Sequence, residues 1–176
     1  MNLYLIGYRG CGKTTVAPLV AGALGWETRD SDEQIEVLTS RTISEIFSES
    51  GETVFREWET TVLQALAVES DKVVSVGGGA PTIDTNREIM KTSGCMVWLQ
   101  ASAEELWQRI SADPKSESTR PNLTDEKDGF KEVRQVLRAR YDIYKACADY
   151  TIATDGLTPS EVADQIANWW DPVDTH

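Results

Sequence analysis

One short run limits the architecture of this chain more than any other feature. Gly7-Tyr8-Arg9-Gly10-Cys11-Gly12-Lys13-Thr14 directly follows the apolar stretch Leu3 to Ile6. It is a full match to GxxxxGK[ST], and it stands where that pattern has physical meaning, between a strand and a helix. Glycines let successive backbone N–H groups curl around phosphate oxygens, and the helix that follows adds the partial positive charge of its N-terminus. Lys13 is placed to reach β- and γ-phosphates, and the Thr14 hydroxyl to ligate Mg²⁺. The expected ligand is a nucleoside triphosphate. The loop by itself suits GTPases, motors and small-molecule kinases alike, so the rest of the chain has to choose among them.

The charge balance gives that loop added weight. Lys and Arg number 17 against 29 Asp and Glu, a net charge of −12, so a polyanionic ligand must be met by locally concentrated positive groups. A broad basic surface for nucleic acid or an anionic membrane is not expected. A length of 176 residues with 40% hydrophobic content fits one globular domain over 1–176. Cys11, Cys95 and Cys147 are far apart and share no metal-ligand spacing, and the single histidine is His176, which argues against a zinc site, a disulfide framework and His-based triads. No apolar run is long enough for a bilayer and no signal-peptide pattern opens the chain, so the expected location is the reducing cytoplasm.

Short apolar runs alternate with helical periodicity in a βαβα pattern. Leu3 to Ile6, Val73 to Val76, Met96 to Leu99 and Tyr150 to Ala153 read as strands buried on both faces, with a shorter strand ending near Arg29. Val16, Leu19, Val20, Ala23 and Leu24 define one helical face closed by Gly25, and Pro18 sits deep enough in that helix to bend it. Further helices are expected at Asp32 to Leu38, Ser44 to Glu49, Glu52 to Glu69, Ala103 to Ser111, Lys131 to Ala148 and Pro159 to Trp170. Ser75 to Pro81 and Ala112 to Gly129 read as irregular, the second as a lid near 112–125. Trp169 and Trp170 are expected as core anchors.

Five groups outside the loop carry chemistry. Asp30 and Asp32, two apart in an extended segment, point to one side and face the loop's Mg²⁺ and an acceptor hydroxyl; the same Asp-Ser-Asp before a helical run also reads as an N-cap, and the two roles are compatible. Arg56 and Glu59 lie one turn apart, so the carboxylate can fix the arginine fork with donors left for a ligand anion. Arg140 falls near the centre of the apolar face made by Val133, Val136, Leu137, Tyr144 and Cys147, where an unpaired guanidinium is costly and calls for a buried partner or a ligand; Arg134 and Arg138 point away from it. Gly77-Gly78-Gly79 follows a strand at the end of the sheet where open α/β folds bind ligands, and glycines there allow close approach of backbone to a small molecule. Arg109 and Arg120-Pro121 flank or occupy the irregular segment, as an arginine delivered by lid closure would.

Taken together, GxxGxGK[ST], Asp30-x-Asp32 with Ile35-Glu36, Ile46-Phe47, Gly51-Glu52-x-x-Phe55-Arg56-x-x-Glu59, the three glycines, Arg120-Pro121 and Arg140-x-x-x-Tyr144 resemble the shikimate kinase family. The resemblance runs from the loop to about Pro159. It implies the P-loop kinase fold, an α/β architecture with a five-stranded parallel sheet in the order 2-3-1-4-5, an acceptor-binding region near 31–60, and phosphoryl transfer from Mg-ATP to the 3-hydroxyl of shikimate by a monomer. It also implies site roles for residues of this chain. Gly10, Cys11, Gly12, Lys13, Thr14 and Thr15 would hold the phosphates, with Arg109 and Pro159 beside the adenine and Arg120 as the lid arginine. Thr14 would bind Mg²⁺ directly and Asp30 through water. Asp32 would be the base, Arg56 and Arg140 would clamp the shikimate carboxylate, and Gly77, Gly78 and Gly79 would line the site.

The sequence departs from the family pattern at Asn122, where a second apolar residue is usual after the proline, and in a longer stretch from Arg109 to Arg120. These predict altered lid behaviour or nucleotide affinity with the chemistry intact. Cys11 within the loop raises the expectation that oxidation affects ATP binding. The competing readings are a kinase for another small acceptor such as gluconate, a non-catalytic nucleotide-binding module, and a GTPase switch.

Overall fold

The computed structural model describes residues 1–113 and 128–170. Five strands, β1 (Asn2–Ile6), β2 (Glu27–Asp30), β3 (Lys72–Ser75), β4 (Gly94–Gln100) and β5 (Tyr150–Ala153), form one sheet. Its order is β2-β3-β1-β4-β5 and every pairing is parallel. Because β1 is central, the loop that leaves it emerges in the middle of the sheet's C-terminal edge, where ligands of open α/β folds bind.

Alternation along β1 assigns the two layers. Leu3 and Leu5 face a core completed by α1 (Lys13–Leu24), α5 (Ala103–Ala112) and α7 (Pro159–Trp170); Tyr4 and Ile6 face one built with α2 (Ser31–Thr39), α3 (Ile43–Ala67) and α4 (Asp84–Ser93). Helix α6 (Gly129–Cys147) serves both layers, with Val133 and Val136 in the first and Tyr144 in the second. Burial on both faces, expected of four strands, holds for β1 and β4 at their centres and for Val73 to Ser75 of β3, but not for β5, whose Thr151 and Ala153 are exposed. The reason is position: β5 is an edge strand, and only one of its sides is paired.

The buried face of α1 is Val16, Ala17, Val20 and Ala21, whereas Leu19 and Ala23 face outward. The expected stripe was rotated because small alanines, which carry little hydrophobic signal, occupy the side packed on the sheet. Gly25 closes the helix in the left-handed region, and its N–H bonds back to Ala21 O. Pro18 does lie inside α1. Helix α3 is interrupted at Gly51, whose φ of 79° and ψ of 174° suit a residue without Cβ. The two expected helices, before and after that glycine, are therefore segments of one bent element.

Helix α4 has no counterpart in the periodicity. Only Asn86 and Met90 are buried along it, and its N-cap, Ile83, supplies no side-chain cap bond. The expected lid lies, apart from its first two residues, outside the described residues, and so do Arg120, Pro121 and Asn122. Trp170 packs against the core and meets Trp26 edge to face at 5.3 Å, as expected of an anchor. Trp169 instead stacks on Tyr150 at 4.9 Å on an exposed face.

Candidate active site

The phosphate loop joins β1 to α1 and is shaped by backbone. Gly10 (φ 82°) and Gly12 (φ 100°) adopt left-handed conformations, which let the chain turn back twice within three residues. Gly12 is also the N-cap of α1, so the helix begins at the loop with its N–H groups directed there. Lys13 is 9% exposed and folds over its own loop, donating from Nζ to Gly7 O at 2.7 Å, Tyr8 O at 3.0 Å and Cys11 Sγ at 3.5 Å.

A cavity of about 650 Å³ opens beside this loop. Gly10, Cys11, Gly12, Lys13, Thr14 and Thr15 line it on one side, and Asp30, Asp32, Gly77 and Gly78 on another. Arg109 and Pro159, expected beside the adenine, also line it. Arg109 is held there by four contacts: Nε donates to Glu105 Oε1 at 2.9 Å, Nη1 to Gly10 O and Thr154 Oγ1 at 3.4 Å each, and Nη2 to Thr154 O at 3.3 Å.

Asp30 divides its work between its two oxygens. Oδ1 caps α2 by accepting from the backbone N–H groups of Asp32 at 2.9 Å and Glu33 at 3.4 Å, while Oδ2 accepts from the Thr14 hydroxyl at 3.2 Å. The N-cap reading of Asp-Ser-Asp holds in Asp30, whose second oxygen turns to Thr14 of the loop. The geometry that brings Asp32 to the cavity differs from the expected extended pair, because Asp30 ends β2 and Asp32 already lies in the first turn of α2. Ser75 Oγ is 3.5 Å from Thr14 Oγ1. Two hydroxyls and a carboxylate are hard oxygen donors, which suits Mg²⁺. Among the described residues no three or more His, Cys, Asp and Glu side chains gather into a metal cluster.

The residues expected to hold the acceptor carboxylate lie against the Gly78-Gly79 turn, and neither Arg56 nor Arg140 lines this cavity. Arg56 Nη1 donates to Glu59 Oε2 at 2.9 Å, and the Glu59 side chain is wholly buried. Its other oxygen, Oε1, is buried with no hydrogen-bond partner among the described residues. Burial pushes the Glu59 carboxyl above the usual carboxylate range, against the attraction of Arg56 and Arg140. The arginine also bonds to Glu52, an exposed residue for which the sequence suggested no role. Arg140 is half-buried, and a Cβ added at Gly78 would come 3.5 Å from its Nη1. Arg134 and Arg138 are exposed, as expected.

The three glycines act differently from one another. Gly77 N–H is taken by the buried Ser31 hydroxyl at 3.0 Å, and Gly78 O accepts from Tyr144 OH at 2.6 Å. Gly79 makes room for a side chain of the protein itself: a Cβ there would come within 2.4 Å of the Arg56 guanidinium. Ser31, Ser75 and Tyr144 were not singled out from sequence as site residues. Their signals were a serine between two aspartates, a serine before the glycines and a tyrosine read as core and as part of the family pattern, with no role of its own. Burial pushes the Tyr144 hydroxyl up to about 12, which keeps it a neutral donor to the glycine turn.

Comparison with known proteins supplies what geometry leaves general. The sequence model of the shikimate kinase family matches residues 9–171. The chain belongs to the shikimate kinase family. A shikimate kinase of Rhodopirellula baltica is 37% identical over 165 residues, covering 94% of this chain and 88% of that protein. The solved shikimate kinase of Acinetobacter baumannii, in complex with shikimate, superposes with a TM-score of 0.89 at 38% identity, covering 96% of this chain and 91% of that one. The shikimate kinase of Bacteroides thetaiotaomicron gives 0.86 at 30% identity over 96% and 97% of the two chains. The P-loop kinase fold and the strand order expected of a shikimate kinase are those observed.

Proposed function

We propose that this chain transfers the γ-phosphate of Mg-ATP to the 3-hydroxyl of shikimate, giving shikimate 3-phosphate and ADP on the chorismate route to aromatic amino acids. The observation that carries the reading is one cavity shared by the phosphate loop, Asp32 and the Gly77-Gly78 turn, with Arg140 against Gly78 and Arg56 against Gly79. Family membership supplies the acceptor's identity.

Thr14 and, through water, Asp30 would hold Mg²⁺, which would supply charge neutralisation for the β- and γ-phosphates. The remaining work falls to side chains and backbone. Lys13 exchanges the Gly7 and Tyr8 carbonyls for phosphate oxygens, and the turns at Gly10 and Gly12 present N–H groups to them. Asp32 takes the proton of the acceptor hydroxyl at the cavity wall. Arg56, braced by Glu59, and Arg140 bind the acceptor carboxylate, so that positioning and charge neutralisation carry most of the rate. The family pattern assigns the transferring phosphoryl group to Arg120, within a lid near 112–125, and the acceptor-binding region to about 31–60 of a single domain.

The chain works as a monomer in the cytoplasm without nucleic acid or membrane. The family resemblance supports the monomer; three free cysteines, a net charge of −12 and, among the described residues, no helix long and apolar enough to cross a membrane support the rest.

The test is ADP release in a coupled assay with Mg-ATP and shikimate, gluconate, several nucleoside monophosphates or no acceptor. Turnover with shikimate alone is the expected outcome. Turnover with another acceptor would mean that Arg56 and Arg140 are misassigned, and ATP binding without turnover would favour a non-catalytic module.

A further inference from the structure

The guanidinium that would read the acceptor's carboxylate already holds two. Arg56 Nη1 donates to Glu59, while Nε and Nη2 both donate to a single oxygen of Glu52, at 3.2 and 2.9 Å. The Nε–Nη2 edge is one of the faces by which arginine takes a carboxylate through two parallel bonds. The two glutamates are unequal partners. Glu59 has no exposed side-chain surface, but the Glu52 side chain is 64% exposed and can leave without opening the core. Arg56 does not line the cavity that contains Asp32; together with Glu52 and Thr60 it borders a separate open depression. Its fork is engaged on that outer side.

We propose that Glu52 is an internal competitor for the acceptor's carboxylate, occupying the Nε–Nη2 edge of Arg56 until the ligand displaces it. The inference rests on the proposed function and adds a residue that sets acceptor affinity. Binding exchanges one ion pair for another, so the free arginine is never left bare and the ligand's gain is reduced by the contact it breaks. The charges support the exchange: Arg56 and Arg140 face Glu59 and Glu52, and departure of Glu52 leaves room for one negative charge.

Removing the competitor should tighten binding. An exposed ion pair of this kind reduces the open fraction by only a small factor, so shikimate Kd and KM should fall about two- to fivefold in Glu52→Gln. KM for ATP should not move. The variant should also respond more steeply to salt, because binding then creates an ion pair where the wild type merely exchanges one. The experiment is calorimetric titration of shikimate into the whole protein, wild type, Glu52→Gln and Glu52→Ala, at low and high ionic strength, with KM for both substrates alongside. Tighter shikimate binding in both variants with a steeper salt dependence supports the competitor. Equal or weaker binding in the variants, or an unchanged salt dependence, overturns it and makes Glu52 a brace for Arg56. A wild type that neither binds nor phosphorylates shikimate overturns the functional reading, and the competitor with it.

Discussion

The phosphate loop, here the nucleotide end, and the proposed acceptor end around Arg56 and Arg140 are built by different means. At the nucleotide end the groups are consecutive in sequence and mostly backbone: two left-handed glycines, a helix N-terminus, and Lys13 returning to its own loop. At the acceptor end they are side chains from α3 and α6 that meet at a glycine turn following β3. A backbone site depends on local conformation and tolerates side-chain variety around it. A side-chain site depends on how elements pack, and a single methyl in the wrong place can displace its key group.

The largest effect is expected where the two ends meet. Asp32→Asn should lower kcat by about 10²- to 10⁴-fold, the range for loss of a positioned base, and near-full activity would show that the carboxylate at this junction is not the base. Lys13→Ala should cost about 10²- to 10³-fold in kcat, with weaker ATP binding by calorimetry and shikimate binding to the nucleotide-free protein preserved. Loss of both affinities together would break the proposed separation.

A pair of glycine substitutions sharpens it. Gly79→Ala sets a methyl within 2.4 Å of the Arg56 guanidinium, so KM for shikimate should rise about tenfold, one ion-pair contact's worth, while KM for ATP holds. Gly10→Ala forces a φ of 82° on alanine and crowds Ile110 Cγ1 at 3.0 Å, and should do the reverse. Steady-state kinetics of the two variants, with each substrate varied in turn, reads out both.

The smallest effect is on stability against pH. Glu59 binds its proton more tightly in the folded chain than its ordinary value of 4.5 implies, because burial outweighs its arginine neighbours. The stability it contributes is therefore complete below 4.5 and is lost as pH rises through the raised folded value. The melting temperature of the wild type relative to Glu59→Gln should fall over that window, where an ordinary ion-paired carboxylate would make it rise.

This contrast also explains what was legible beforehand. The loop, Asp30 and the Arg56–Glu59 pair could be read because their partners are near in sequence: an N-cap within three residues, a fork within one helical turn. Arg140 was legible as a charge on an apolar face, though its neighbours were not. Ser31 and Tyr144 act on the glycine turn from distant positions, and no local pattern distinguishes a serine or tyrosine that does so. The second role of Gly79, making space for an arginine rather than a ligand, needed α3 and the turn to be in contact. Helix α4 escaped notice because so little of it is buried, yet Asn86 on it accepts from the Thr60 hydroxyl and donates to Ala80 O, linking α3 to that turn.

The central place of β1 bears on how the chain reaches this state. Leu3 pairs with Val73 on one side and with Cys95 on the other, so both sheet partners of β1 lie far downstream of it in the sequence. The strand pairings that flank β1 are of high contact order, and loop-closure entropy must be overcome before they stabilise the sheet. Asn2 to Ile6, wholly buried in the finished sheet, is during synthesis an unpaired apolar strand exposed to other chains. The phosphate loop is thus expected to reach its final setting only once β3 and β4 have paired with β1.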